Sequence, residues 1–319
     1  MLSRVASSVY WMTRYIERAE NIARFISVNL NLTLDFPSES SSQWQPIVMT
    51  TGDHELFEKK YGSNYSSGNV IHFLALDPEY GNSILSSLRA ARENARSVRE
   101  IISSEMWEQI NRYYIELRDA AQTDFPNRNP HKFFKIITMR GHMFTGLLYS
   151  TMSHGEAFRF ALTGLMLERA DKTSRILDVK YFMLLPKGGE VNSPYDSIQW
   201  AAVLKSASAL EMYRKRFHRI IPRQVCEFLI FDGEFPRSIR YCLKKAEQSL
   251  HKISGSPVGT VSNLAERSLG RLCADIDYSD IDEVIDTGMH EYLDGLQVKI
   301  NTVGAHIHEA FFKVLSADS

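Results

Sequence analysis

Cysteine is scarce in this chain: three residues in 319, Cys226, Cys242 and Cys273, with no CxxC or zinc-type spacing. An odd, scattered count excludes a disulfide framework and predicts a reducing, cytoplasmic setting. A charge excess is lacking as well, because 37 Lys and Arg stand against 38 Asp and Glu, a formal net charge of −1. No global field draws the chain to nucleic acid or anionic lipid, so neither is expected as a partner and any charge chemistry is local. Long apolar runs are missing: no segment reaches the about 18 uncharged apolar residues of a membrane span. The opening MLSRVASSVYWMTRYIER meets Arg14, Glu17 and Arg18 too soon to hold a secretory apolar stretch. A soluble protein follows.

Compact enzymatic signatures are also missing. There is no Walker-type Gly-Lys-Ser/Thr loop, GxSxG elbow, HExxH or EF-hand loop. His142, His154, His306 and His308 are dispersed, and no Glu-x-x-His pair of the di-iron bundle type occurs. The acid pairs Glu17/Glu20 and Glu168/Asp171 are each followed by arginines that would repel magnesium. No cofactor and no metal site are expected.

Helical periodicity is abundant and strand-like alternation nearly absent. Val5, Val9, Met12, Ile16, Ala19, Ala23, Ile26 and Leu30 recur by fours and threes along one stripe. Similar periods run through 83–102, 131–152, 156–185, 195–218, 236–251 and 280–315. Breakers at 35–46, 124–130, 185–194 and 251–259 read as linkers, and 44–79 reads as an insertion of small helices. Connected stripes must bury one another, which predicts an all-α multi-helix bundle of roughly seven to nine substantial helices. Residues 158–167 are apolar all round, the pattern of a central helix.

The helices starting near 2 and 156 share a motif. At an offset of 151 residues, YIERAENIAR pairs with MLERADKTSR: Glu17 with Glu168, Arg18 with Arg169, Glu20 with Asp171 and Arg24 with Arg175. Glu20–Arg24 and Asp171–Arg175 are i,i+4 acid-before-base pairs, worth about 0.2–0.5 kcal/mol each on an exposed face. In the first copy Glu17, Glu20 and Arg24 lie opposite the Val5–Leu30 stripe, which predicts a solvated face. In the second copy Glu168 and Arg169 end the all-apolar stretch, so a buried charge there needs an opposite charge or a ligand.

Further candidates surround this pair. Arg140 sits among Phe133, Ile136, Ile137, Met143, Phe144 and Leu147 at helical spacing, so it either snorkels outward, meets Glu168 or Glu17, or holds an anion. Asn94, beside Ala90, Ala91 and Val98, is a polar amide that needs a partner and is a candidate for the same network. In FDGEFPRSIRYCL, Pro236 is placed at a first helical position with Arg237 and Arg240 in the opening turn. Cations there are either solvent-exposed or relieved by an anion at the helix N-terminus. YRKRFHR at 213–219 closes a helix, where cations suit the dipole.

The segments MLSRVASSVYWMTRYIERAENIARF, ENARSVREIISSEMWEQIN, GLMLERADKTSRILD and FLIFDGEFPRSIRYCL resemble the alpha-E family of bacterial all-helical proteins, named for its helices and its Glu-Arg motif. The resemblance spans nearly the whole chain and implies one alpha-E-like helical domain over 1–319. It also implies encoding beside, or fusion to, circularly permuted ATP-grasp proteins and transglutaminase-like proteins, an association that suggests amide or peptide-bond chemistry. By motif position the Glu-Arg residues are Glu17, Arg18, Glu168 and Arg169. Gly141-His142 follows Arg140 where the family pattern has an Arg-Glu pair, which puts in question any role needing an acid at 141.

Three functional expectations follow. The leading one is an accessory subunit of an ATP-grasp amide-ligase system, binding an anionic group through Glu17, Arg18, Asn94, Arg140, Glu168, Arg169, Arg237 and Arg240. The second is a stand-alone enzyme with Glu17 or Glu168 as general base and Arg18, Arg140 or Arg169 as clamp. The third is a scaffold whose ion pairs only set helix register.

Overall fold

The computed structural model describes residues 1–35, 44–123, 125–184 and 194–313, and among these there is no strand. The helices are α1 (Ser3–Asp35), α2 (Gln45–Met49), α3 (His54–Tyr61), α4 (Ser67–Ile71), α5 (Ile84–Ser97), α6 (Ser104–Ala121), α7 (Phe125–Arg128) and α8 (Pro130–Thr151). They continue with α9 (Glu156–Leu184), α10 (Pro194–Ser206), α11 (Leu210–Arg216), α12 (Pro222–Phe231), α13 (Ile239–Ser254), α14 (Leu264–Tyr278), α15 (Ile281–Thr287) and α16 (Met289–Ile307). π-helical turns follow α4 (His72–Leu76) and α16 (His308–Phe312). None of the helices among the described residues is long and apolar enough to cross a membrane.

The all-α class and the small helices over 44–79 are as expected. Four helices escape the periodicity reading: α6, α12, α14 and the short α7, which forms inside the linker expected at 124–130. Several boundaries also move. The run at 195–218 breaks at Ser208, whose φ of 52° is left-handed, and the run at 280–315 breaks at Gly288, φ 94°. The run at 236–251 starts at Ile239, with Ser238 as N-cap accepting from Tyr241 N–H. Pro236 therefore lies ahead of the helix, in the turn. The predicted linkers at 35–46 and 185–194 fall largely outside the described residues.

Helix α9 is the axis of the molecule, as its apolar stretch predicts: apart from Arg159, Lys172 and Arg175, the residues from Phe158 to Leu177 are buried, and the helix packs against α1, α13 and α16. Each fully buried Leu or Met there contributes about 1.5–3 kcal/mol of transfer free energy. α1 packs along α9, with α5 and α8 on its other sides.

Contacts between α1 and α9 keep a nearly constant spacing: Met1 to Glu156, Thr13 to Ala161, Glu17 to Arg169 and Arg18 to Glu168. The two helices therefore run parallel and in register. Gly164 permits the closest approach, since a Cβ there would lie 2.4 Å from Tyr10 O and 2.8 Å from Thr13 Oγ1. The Thr13 hydroxyl lies 2.8 Å from Ala161 O and 2.9 Å from Tyr10 O, sharing its one proton between them.

Candidate functional site

Parallel, in-register packing places the two Glu-Arg motifs side by side, and they exchange partners. Arg169 grips Glu17 with two hydrogen bonds of 2.9 Å, from Nε and Nη2. Arg18 grips Glu168 from Nε at 2.7 Å and Nη2 at 3.2 Å. Such reciprocity is the signature of an approximate two-fold relation between equivalent helices. The acids are sealed: Glu17 and Glu20 are 1% exposed and Glu168 0%. The solvated face predicted for Glu17, Glu20 and Arg24 is thus wrong. α8, α9 and the turn before α13 cover that side of α1, so the helix is buried nearly all round.

The turns that reach each edge of the helix pair are themselves a repeat. DPEYGNSI at 77–84 matches DGEFPRSI at 232–239 at an offset of 155 residues. In each, the first Asp accepts from the backbone N–H of the Glu two residues on, at 3.0 Å for Asp77 and 2.8 Å for Asp232. Ser83 and Ser238 donate back to the carbonyls of those same aspartates and cap α5 and α13. Tyr80 stacks on Phe73 and Phe235 packs on Phe228, again equivalent positions. Sequence reasoning missed this second repeat, although Asp-x-Glu-aromatic-x-x-Ser-Ile was there to be read.

Among the positions at which the two turns differ, one faces the paired acids: Arg237 in the turn at 232–239 and Asn82 in the turn at 77–84. On the first edge, Arg237 donates to Glu17 at 2.8 Å and to Glu20 at 2.9 Å. Arg24 pairs with Glu20 as well, and His142 Nε2 stands 3.0 Å from it. Arg237 is buried, not solvent-exposed, and the anion that relieves it is internal. Gly141 leaves room for Glu20, because a Cβ at 141 would lie 2.7 Å from Glu20 Cγ. No acid at 141 fits beside it. This Arg237 edge is closed, with two carboxylates facing three guanidiniums.

On the second edge the equivalent turn residue is Asn82, whose Oδ1 accepts from Arg18 Nη1 at 2.6 Å. Arg14 Nε takes the other face of Glu168 at 2.8 Å, steadied by the Trp11 ring 4.9 Å away. Asp171 is held by Lys172 at 2.8 Å and by Arg175 Nε at 3.0 Å, while Arg175 Nη1 donates to Thr50 O. The shorter side chain of Asn82 leaves a cavity of about 150 Å³ lined by Arg14, Arg18, Lys172, Arg175, Asp53 and Asp171. Asp53, Thr51, Lys172 and Tyr80 had not been singled out from the sequence.

Electrostatics keep the acids ionised. Burial raises the Glu17 carboxyl pKa, but Arg169 and Arg237 outweigh it and hold the group below the usual carboxylate range. Burial is likewise outweighed at Glu168, by Arg18, Lys172 and Arg14. For Asp171 the balance between burial, Lys172 and Arg175 brings the pKa down to about 2. Burial, with Arg237 as the next cause, lowers the pKa of Arg24, and burial also pushes the Cys226 and Cys242 thiols up to about 12.

The remaining sequence candidates lie elsewhere. Arg140 pairs bidentately with Glu116 of α6 and touches Gln109; it reaches neither Glu17 nor Glu168. Asn94 donates to Ala90 O within its own helix and joins no network. Arg240 pairs with Asp277 of α14 at 3.0 Å. Among the described residues, no three His, Cys, Asp or Glu gather as a metal-ligating group.

The molecule is thus an all-helical protein organised on a duplicated, reciprocally paired Glu-Arg helix. The chain belongs to the Alpha-E family, described as a predicted alpha-helical domain with a conserved ER motif, whose model matches residues 1–312. Uncharacterised proteins of Mycobacterium bovis and of two Mycobacterium tuberculosis strains are each 23% identical to it, with 96% of this chain covered. The chain spans about a third of the length of these curated relatives, 35% of each. No solved structure matches it.

Proposed function

We propose that this protein is a helical accessory module of an ATP-grasp amide-ligase system, and that the Asn82 edge of its Glu-Arg network holds an anionic group. The observation that carries the binding reading is the cavity walled by Arg14, Arg18, Lys172 and Arg175 against only two lining carboxylates, Asp53 and Asp171. Even with Glu168 counted behind the wall, positive charge is in excess, and a partly dehydrated cation excess favours an anion. Partnership is supported by the family resemblance and by the relatives, in which the matched region is one part of a much longer polypeptide. Circularly permuted ATP-grasp proteins are the partner of choice, with transglutaminase-like proteins second.

Catalysis by the network itself has less support. A general base works best with a pKa near the operating pH, whereas Glu17 and Glu168 are held far below it by their arginines. Arg18 and Arg169, the supposed clamps, are engaged by those same acids. The closed Arg237 edge favours register-setting as a second role. Co-purification with the ATP-grasp protein, then ligase assays with and without this chain, tests the partnership. A complex and a changed ligation rate are expected; neither appearing would overturn it.

A further inference from the structure

Charge in the Asn82 cavity is divided, not uniform. Arg18, Lys172 and Arg175 bring cations, and among the described residues Arg175 Nη2 makes no hydrogen bond, its Nε and Nη1 being taken by Asp171 and Thr50. Asp53 lines the same cavity and is half-buried. Its carboxylate accepts, among the described residues, only from neutral groups, the Tyr80 hydroxyl at 2.7 Å and the Asn82 amide at 3.2 Å. Among the described residues it enters no ion pair; it stands just ahead of α3 yet its side chain caps no N–H there, and a carboxylate has acceptor sites beyond those two. The Asn82 amide spans the gap between the Arg18 guanidinium and the Asp53 carboxylate. A carboxylate in no contact ion pair, though within the field of the Arg175 charge, thus faces the same small space as a guanidinium with a spare donor.

Resting on the anion-binding reading above, we infer that the cavity takes a small amino acid, its carboxylate on Arg175 and Lys172 and its ammonium on Asp53. Neither end alone answers the lining: a simple anion leaves Asp53 unpaired, and a simple amine meets the excess of cations. Size agrees, since a protein cavity of about 150 Å³ accommodates a molecule of benzene's bulk, close to that of β-alanine. Ile22, Phe25, Ile47 and Leu74 supply apolar wall for the methylenes between the charges. The other edge shows how the space is otherwise filled, because Arg237, the equivalent of Asn82, covers Glu17 and Glu20 with its own guanidinium.

The test uses the full chain and two isosteres at low salt, β-alanine and butyrate, which differ by an ammonium in place of a methyl. Calorimetric or NMR titration is expected to show both binding, β-alanine at least tenfold more tightly. Asp53→Asn should erase that difference while leaving butyrate affinity within about twofold, and Arg175→Gln should weaken both ligands. Asn82→Arg, which copies the closed edge, should abolish both with the thermal melt retained. Equal affinity for the two isosteres, or a β-alanine preference that survives Asp53→Asn, would overturn the amino-acid inference but keep the anion reading. Binding of neither would overturn both.

Discussion

At the Arg237 edge of the α1–α9 pair, Glu17 and Glu20 meet the guanidiniums of Arg169, Arg237 and Arg24, and no side chain is left over. At the Asn82 edge, Glu168 and Asp171 meet Arg18, Arg14, Lys172 and Arg175, yet a cavity remains beside them. The Glu-Arg motif and the flanking turn are duplicated, while the residues around them differ: Arg237 stands where the other turn has Asn82, and Lys172 stands where the first helix has Asn21. An arginine in the turn supplies the last cation and fills the space, while an asparagine passes a hydrogen bond along and leaves the space open. Divergence at these positions leaves one half of a repeated arrangement sealed and the other with a cavity.

The largest effect should come from removing the central acids. Glu17→Ala strands Arg169 and Arg237 in a closed interior, and breaking a buried pair this way costs about 3–5 kcal/mol. Glu168→Ala strands Arg14 and Arg18 beside a cavity that can admit water, so a smaller loss of about 2 kcal/mol is expected. Urea unfolding midpoints compare the two; equal losses would erase the difference between the edges.

Acid comes next. Glu17, Glu168 and Asp171 have folded-state pKa values below their unfolded ones. Their contribution is complete above the unfolded pKa and lost as pH falls through the folded pKa. For Asp171 the window runs from the ordinary carboxyl value of 3.8 down to about 2, a contribution of about 2 kcal/mol. Glu17 and Glu168 are also held below their usual range, so their contributions are lost in the same acid direction. Stability of Asp171→Asn measured across that window should be flatter than that of the native chain. A parallel decline would contradict the assignment.

The smallest effect belongs to a pair outside both edges. Arg140 and Glu116 have side chains 22% and 42% exposed, and exposed pairs are worth about 0.2–1 kcal/mol. Arg140→Ala should therefore shift the unfolding midpoint only slightly. A loss matching Glu17→Ala would mean that Arg140 is tied to the central network after all.

Where the sequence and the structure part, the reasons are specific. Arg140 and Arg240 are candidates for the network with solvent as the alternative, but their partners, Glu116 and Asp277, sit on α6 and α14, two helices the periodicity reading leaves out. With those acids unplaced, no local pattern could direct the arginines to them. Asn94 was read as needing a distant partner, whereas a carbonyl one turn back satisfies it. Arg237 looked like a cation misplaced at a helix N-terminus; it lies in the turn ahead of the cap and answers acids 217 and 220 residues away in sequence.

By itself the sequence determined the helical class, the central position of α9 and the duplication of the Glu-Arg motif, because periodicity and repetition are properties of the chain read in order. Only the tertiary structure decided that the two motifs exchange partners, that the first copy is as buried as the second, and that one edge is sealed while the other is hollow. Those outcomes depend on which surfaces meet and how far a side chain extends across the gap. A one-dimensional pattern carries neither distance.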